Sequence, residues 1–152
     1  MSKVTPFLWF DTQAEEAMNF YVSLFKNSKI NNISRGPEGH AFMVSFELDG
    51  REFMALNAGP RHKFNEAISM YVDCKDQAEV DYFWNRLIAD GGEESMCGWL
   101  KDKYGLSWQI VPKQLGELIG GPDSEKSQRA MQAMLKMQKI IVADLQKAYD
   151  GK

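Results

Sequence analysis

The chain has 152 residues, of which 44% are hydrophobic and 26% charged, and its formal net charge is −3. This composition is typical of one folded domain and excludes a largely disordered chain. Lysines and arginines do not cluster, so no nucleic-acid partner is expected. The longest apolar runs are far shorter than the roughly 20 residues of a membrane span, and the run Phe7 to Phe10 is too short for an export signal. We therefore expect a cytoplasmic protein with no membrane partner. Cys74 and Cys97 have neither metal-binding nor redox-pair spacing, and reduced thiols are expected.

The first half of the chain predicts the element order β-α-β-β-β. Thr12 and Glu15 have the form of a capping box, and an apolar stripe of helical period follows them. Strands are predicted at 4–10, 29–35, 40–48 and 51–56, the last two joined by Asp49-Gly50, a strong hairpin signal.

The same order repeats after a connection at 57–63. Asp76 and Glu79 form a second acidic cap pair before a second apolar helical stripe. Strands are predicted at 68–72 and 93–97, followed by a hairpin at 97–112 in which Leu106, Trp108 and Ile110 face the core. A short helix at 114–119 and a long helix from Asp123 or Ser124 to about Ala148 complete the chain.

These elements predict a single α+β domain of two modules, about 1–60 and 64–112, with a helical extension at about 113–150. Each module is too small to bury its own sheet, so we expect one continuous mixed sheet with the helices on its outer face.

The element order and several sequence blocks resemble a known family. The blocks are Thr5–Asp11, Glu16-Ala17 with Phe20-Tyr21, Phe64–Ser69, Cys97–Pro112, and Arg129–Met134 with Lys136-Met137. Together they are similar to the PhnB-like branch, often labelled demethylubiquinone methyltransferase, of the vicinal oxygen chelate (glyoxalase/bleomycin resistance/dioxygenase) superfamily. The resemblance implies that the sheet curves into a cup and that two chains form a homodimer.

Superfamily enzymes hold a divalent ion in that cup with His or Glu side chains from four strands. The matching positions in this sequence hold Val4, Ala55 or Asn57, Ala67 and Gln109. None of these supplies a charge or an imidazole, and a neutral amide compensates a divalent cation poorly. His40 lies at the start of a predicted strand beside a Gly-Pro turn, and His62 lies in the connection. We expect both to be surface histidines, although recruitment of one of them to a nonstandard site stays open. We predict no metal at the usual site and no cofactor.

Other chemistry finds little support in the sequence. None of the 12 glycines forms the GxG turn that binds S-adenosylmethionine on the common methyltransferase fold. Cys97, Ser69 and Ser107 have no predictable base, so catalytic residues remain unknown. Asp102 is expected to be a turn residue and Glu66 a solvated acid.

The cup face, directed away from the helices, is expected to carry aromatic and neutral polar side chains. They are Leu8, Phe10, Asn57, Ser69, Tyr71, Trp99 and Gln109. Trp9, Trp84 and Trp108 are expected in the core. Large rings with a few neutral polar groups suit a planar or amphipathic organic ligand. Alternatively, Tyr71 and Trp99 fill the cup or a subunit interface.

Two functions stay open. The first is a metal-free protein that binds a small organic ligand. The second is an enzyme with a noncanonical site, a transferase, lyase or isomerase acting on a keto or quinone-like substrate.

Overall fold

A computed structural model describes residues 2–152, which form eight strands and five helices. The first module contains β1 (Phe7–Phe10), α1 (Ala14–Leu24), β2 (Lys29–Arg35), β3 (Ala41–Leu48) and β4 (Arg51–Asn57). The second contains β5 (Met70–Cys74), α2 (Gln77–Ile88), β6 (Glu93–Glu94), β7 (Trp99–Lys101) and β8 (Ser107–Pro112). The helices α3 (Lys113–Ile119), α4 (Ser124–Met134) and α5 (Val142–Asp150) follow. The predicted α+β class with two β-α-β-β-β modules is confirmed.

The chain divides into two compact units, Met1–Phe64 and Asn65–Lys152, and each contains its own four-stranded sheet. The strand orders are β1-β4-β3-β2 and β5-β8-β7-β6. In each sheet the first strand runs parallel to the last strand of its module, and the other pairs are antiparallel. Over residues 2–152 the backbone hydrogen bonds therefore form two sheets rather than the one continuous sheet that we expected.

The core of the first unit lies between α1 and the sheet. Ala17, Met18 and Tyr21 on α1 are fully buried, and the helix packs mainly on β3, where buried and half-buried residues alternate. Asp49 and Gly50 join β3 to β4 with positive φ angles of 49° and 80°. Two successive positive φ values are the signature of the tight hairpin turn that Asp-Gly predicts.

The hairpin of the second unit is organised by a buried carboxylate. Asp102 is 2% exposed, and its Oδ1 accepts hydrogen bonds from the backbone N–H groups of Tyr104 (2.9 Å) and Leu106 (3.0 Å). Its Oδ2 accepts one from the indole N–H of Trp108 (2.9 Å). The predicted turn role is confirmed, and the same residue also fixes a core tryptophan.

The strand after this turn faces the core as predicted. Leu106, Trp108 and Ile110 are all buried on the side of α2. Trp84 of α2 is also buried, and its indole N–H donates to a Glu94 carboxylate oxygen (2.8 Å). These contacts confirm the core positions expected for Trp84 and Trp108.

The predicted long C-terminal helix is wrong, because the chain leaves helical geometry between α4 and α5. Backbone carbonyls of this segment are used elsewhere: those of Met137 and Gln138 accept from the N–H groups of Cys97 (2.7 Å) and Gly98 (2.9 Å). Ile140 in the same segment is fully buried. Tertiary bonds thus outweigh a helical hydrophobic period, which is a weak preference by comparison.

The helices of the described part are all too short or too polar to cross a membrane.

Candidate functional site

Asn57 ends β4 and holds the start of α1. The backbone N–H of Ala14 donates to Asn57 Oδ1 (2.8 Å), and Asn57 Nδ2 donates to the carbonyl of Ala41 (2.9 Å). The first N–H groups of a helix have no partner within the helix, so this amide replaces a local cap. Both ends of the Asn57 amide are therefore bonded on the helix side of the sheet.

The capping box predicted from Thr12 and Glu15 is wrong. The residue before the helix is Gln13, which makes no side-chain capping bond. Glu15 pairs instead with Arg35 on β2, Oε2 to Nη2, at 2.9 Å. The hydrogen bond from Arg35 holds the pKa of the Glu15 carboxyl below its ordinary value.

The prediction that Leu8, Phe10 and Asn57 face away from the helices is also wrong, because the alternation along the strands is shifted by one residue. In the parallel register Leu8 lies beside Ala55 and Phe10 beside Asn57, on the face that carries the bonded amide of Asn57. Leu8 and Phe10 are only 6% and 3% exposed. A shift of one residue moves every side chain of a strand to the other face. The opposite face of this sheet carries Phe7, Trp9, Met43, Ser45, Met54 and Leu56.

Trp9 was expected in the core, but it lies on the opposite face of the sheet. It is half-buried, its indole N–H donates to the carbonyl of Gly59 (2.9 Å), and its ring meets the edge of the His62 ring at a centroid distance of 4.7 Å. His40 and His62 are both exposed, which confirms the prediction of surface histidines.

The second module brings four predicted site residues together. Tyr71 on β5, Gln109 on β8 and Trp99 on β7 are register partners across three neighbouring strands, and partners in register share a face. Gln109 Nε2 donates to the hydroxyl of Ser69 (2.9 Å). The face is opposite to the one that buries Ile110. We call Ser69, Tyr71, Trp99 and Gln109 the amide–aromatic row.

The row is open to solvent. Tyr71 is 60% exposed, and Trp99 and Gln109 are half-buried. Partial burial, followed by the negative charge of Asp73, raises the pKa of the Tyr71 hydroxyl above its ordinary value. The row therefore presents two ring faces, an amide and hydroxyl groups with no net charge at neutral pH.

The residues at the expected metal positions do not fit a divalent cation. Val4 and Ala67 are exposed and supply no donor, Ala55 and Asn57 lie on the helix side, and the amide of Gln109 is neutral. Met54 and Leu56, which take the open face in place of Ala55 and Asn57, suit hard divalent ions no better. Within residues 2–152, His, Cys, Asp and Glu side chains nowhere form a group of three that could hold a metal ion.

The structure also gives little support for nucleophilic catalysis or for binding of a nucleotide-like cofactor. Cys74 is buried, and burial raises the pKa of its thiol to about 12, so it stays protonated at neutral pH. Glu66 is exposed and forms an ion pair with Lys101. The turns that lead from β1 to α1 and from β5 to α2 contain no glycine, so neither offers the glycine-rich approach that a nucleotide-like cofactor requires.

Comparisons with known proteins agree on one family. Residues 2–111, which span both modules up to β8, match the family model described as 3-demethylubiquinone-9 3-methyltransferase. A solved structure described as a putative 3-demethylubiquinone-9 3-methyltransferase, the PhnB protein from Bacillus cereus, is 40% identical, with 73% of this chain and 99% of that chain covered and a TM-score of 0.69. A search of curated proteins gave no match.

More distant structures share the fold. A glyoxalase/bleomycin resistance protein from Albidiferax ferrireducens is 14% identical, with 74% of this chain and 99% of that chain covered and a TM-score of 0.51. The fosfomycin resistance protein FosX from Listeria monocytogenes, solved with Mn(II) and sulfate, is also 14% identical, with coverages of 71% and 89% and a TM-score of 0.52.

Proposed function

The chain belongs to the PhnB-like, 3-demethylubiquinone-9 3-methyltransferase-like family of the vicinal oxygen chelate superfamily, and on that premise we propose that it binds a small planar organic molecule without a bound metal ion. The amide–aromatic row is the observation that carries this proposal. Its rings offer apolar area with fixed geometry, and its amide and hydroxyls orient a ligand through hydrogen bonds.

Neutrality distinguishes this row from a metal centre. A divalent ion needs charged or imidazole donors that remain anchored while other positions hold the substrate. In the row, the one amide at a ligand position already donates to Ser69. A ligand is therefore expected to bind by ring contact and neutral hydrogen bonds.

A thermal-shift screen of aromatic compounds tests this function directly. A ligand present at about 100 times its Kd stabilises the folded state by about 2.7 kcal/mol, which is readily seen as a raised Tm. Tyr71→Ala is expected to remove most of that shift, because it removes one of the two rings of the row. The Tm of the free protein should change little, since the exposed ring of Tyr71 contributes little to the core. Phe42→Ala is the matched control, since Phe42 is a ring of similar exposure (54%) in the first module.

Two results would contradict the proposal. One is the failure of every aromatic compound to raise the Tm. The other is stoichiometric nickel, zinc, iron or manganese in protein purified without chelator, because the ion would then have to be held by side chains that we consider unfit.

The family model also favours a second candidate, a transferase, since its description names a methyltransferase. Calorimetric titration with S-adenosylmethionine separates the two functions. A response to S-adenosylmethionine but to no aromatic compound would replace ligand binding with methyl transfer as the function. Lyase or isomerase chemistry on a keto or quinone-like substrate would be seen instead as turnover of such compounds by the metal-free protein.

We further propose that the protein is a cytoplasmic homodimer. Large apolar side chains such as Ile68 and Met96 are 61% and 45% exposed in the single chain, and association would cover them. Sedimentation equilibrium tests the dimer; a monomer at all concentrations would contradict it.

A further inference from the structure

A second row of side chains crosses the same face of the second sheet, one step along the strands from Trp99 and Gln109. The register pairs Glu93 on β6 with Lys101 on β7, and Lys101 with Ser107 on β8. These three side chains, together with Glu66 and Trp99, line a cavity of about 180 Å³. The cavity therefore adjoins the amide–aromatic row.

Ser107 is the unusual member of this lining. It is 1% exposed, and its Oγ has no hydrogen-bond partner within residues 2–152. A buried hydroxyl without a partner is costly and uncommon in native proteins. Because Ser107 is one of the residues that line the cavity, a molecule bound there is a candidate for the missing partner.

The charged side chains around Ser107 determine the sign of the charge that a bound molecule should carry. Lys101 is the ammonium in the lining, and it forms an ion pair with Glu66. The hydrogen bond that Lys101 donates to Glu66 raises the pKa of Lys101, and the nearby charge of Glu93 adds to this effect. Glu94, also in the lining, accepts from the indole of Trp84.

Carboxylates therefore outnumber the ammonium in this cavity. The Glu93 carboxylate makes no hydrogen bond or ion pair in the described part of the chain, so its charge is uncompensated by a direct partner. A further carboxylate brought by a ligand would be repelled, whereas a cation would be attracted.

We propose that the cavity binds the ammonium group of an arylalkylamine, in which a short alkyl chain joins the amine to an aromatic ring. The ammonium group donates to the Glu93 carboxylate and to Ser107 Oγ, which a rotation of the Ser107 side chain exposes to the cavity, and the ring lies against Trp99. Charge-assisted bonds of this kind are stronger than neutral ones. The inference rests on the proposed function, because it uses the same sheet face, and it adds the charge of the ligand.

The test compares three probes with the same ring and different charge: phenethylamine, 2-phenylethanol and 3-phenylpropionate. Calorimetric titration is expected to rank their affinities in that order, with the carboxylate weakest. Raising the salt concentration should weaken the amine and leave the alcohol unchanged, because screening acts on the charged contact alone.

Two variants assign the contact to residues. Ser107→Ala is expected to weaken phenethylamine about tenfold while the Tm of the free protein does not fall, since the hydroxyl makes no bond there. Glu93→Gln is expected to weaken the amine and spare the alcohol. Glu38→Gln, which removes an exposed carboxylate of the first module, is the control and should change neither.

The outcomes separate this inference from the proposed function. Equal or tighter binding of 3-phenylpropionate would overturn the cationic assignment and leave ring binding intact. Absence of binding by all three probes, while other aromatic compounds raise the Tm, would overturn this inference and leave the proposed function intact. A Ser107→Ala protein that is less stable yet binds phenethylamine normally would identify Ser107 as structural and overturn its role in the cavity.

Discussion

The two modules have the same element order but start their helices in different ways. Asp76 lies immediately before α2 and its Oδ1 accepts from the N–H of Glu79 (2.9 Å), while the Glu79 side chain accepts from the N–H of Lys75 (3.1 Å). The start of α1 depends instead on Asn57, which is 43 residues away from Ala14 in sequence. Equivalent helices of one fold can thus be capped by a local signal or by a tertiary contact.

The hairpins differ in the same manner. Asp49 in the first module is exposed, and it contributes a positive φ angle and a backbone N–H that donates to Ser28 Oγ (3.1 Å). Asp102 in the second module is buried, and its carboxylate accepts three hydrogen bonds, two from backbone N–H groups and one from an indole. The second module therefore concentrates its turn stability in one side chain, and the first does not.

Asp102→Ala is expected to have the largest effect on this contrast. It leaves the N–H groups of Tyr104, Leu106 and Trp108 without their acceptor, and each buried unsatisfied group costs about 1–3 kcal/mol. We expect the free energy of unfolding to fall by about 3 to 5 kcal/mol, measured by urea denaturation. Asp49→Asn, which keeps a residue tolerant of positive φ, should be close to neutral. Similar losses at the two aspartates would remove the contrast between the hairpins.

Asn57→Ala should come next. It removes the acceptor for the first turn of α1 and the donor to the carbonyl of Ala41, and we expect a loss of about 2 kcal/mol. Urea denaturation measures the loss, and hydrogen exchange at Ala14 should accelerate. Thr12→Ala is the control and should be nearly neutral because the local box is not formed. A larger effect of Thr12→Ala than of Asn57→Ala would show that the helix start is local after all.

Asp76→Ala tests the local cap of α2. Loss of an N-cap acceptor costs about 1 kcal/mol, so this variant should be less destabilised than Asn57→Ala, which loses two bonds. The same urea titrations give the comparison. An unchanged midpoint would mean that Glu79 alone holds the start of α2.

The smallest effect is expected at Asp81, which accepts from Gln77 Nε2 (3.0 Å) and pairs with Lys139 (3.0 Å). The hydrogen bond from Gln77, followed by that from Lys139, lowers the pKa of the Asp81 carboxyl. A lowered folded-state pKa adds stability above the unfolded-state pKa, and this stability is lost as the pH falls through the folded-state value.

Because Asp81 is partly exposed, solvent screening limits its contribution to a few tenths of a kcal/mol. Asp81→Asn should therefore narrow the difference between unfolding free energies at neutral and acidic pH. A variant whose pH profile matches that of the native chain would contradict the assignment.

Local signals predicted much of the second module. Asp76 with Glu79 and the alternation of Leu106, Trp108 and Ile110 each act within a few residues, so the cap, the hairpin and the face of the amide–aromatic row followed from sequence. The buried face of β1 in the first module could not be predicted, because this strand is apolar at all four positions and such a run does not reveal which face is buried. Only the position of α1, fixed through Asn57, decides it.

The cavity beside the row could not be predicted for a related reason. The strand β6 has two residues, so no alternation sets the register of Glu93 against Lys101. Ser107 alternates with the core residues Leu106 and Trp108, but its burial and its unpaired hydroxyl depend on the surrounding chain. The break between α4 and α5 likewise depends on carbonyl bonds to residues about 40 positions earlier.

Those carbonyl bonds have a consequence for how the protein can diverge. Met137 and Gln138 lie beyond the part of the chain that the family model matches, yet they hold the two residues that immediately precede Trp99. This C-terminal segment thus fixes the backbone next to Trp99, although it contributes no side chain to the amide–aromatic row. If the proposed ligand binds at the amide–aromatic row, substitutions at Met137 and Gln138 should change ligand preference while the side chains of the row stay the same.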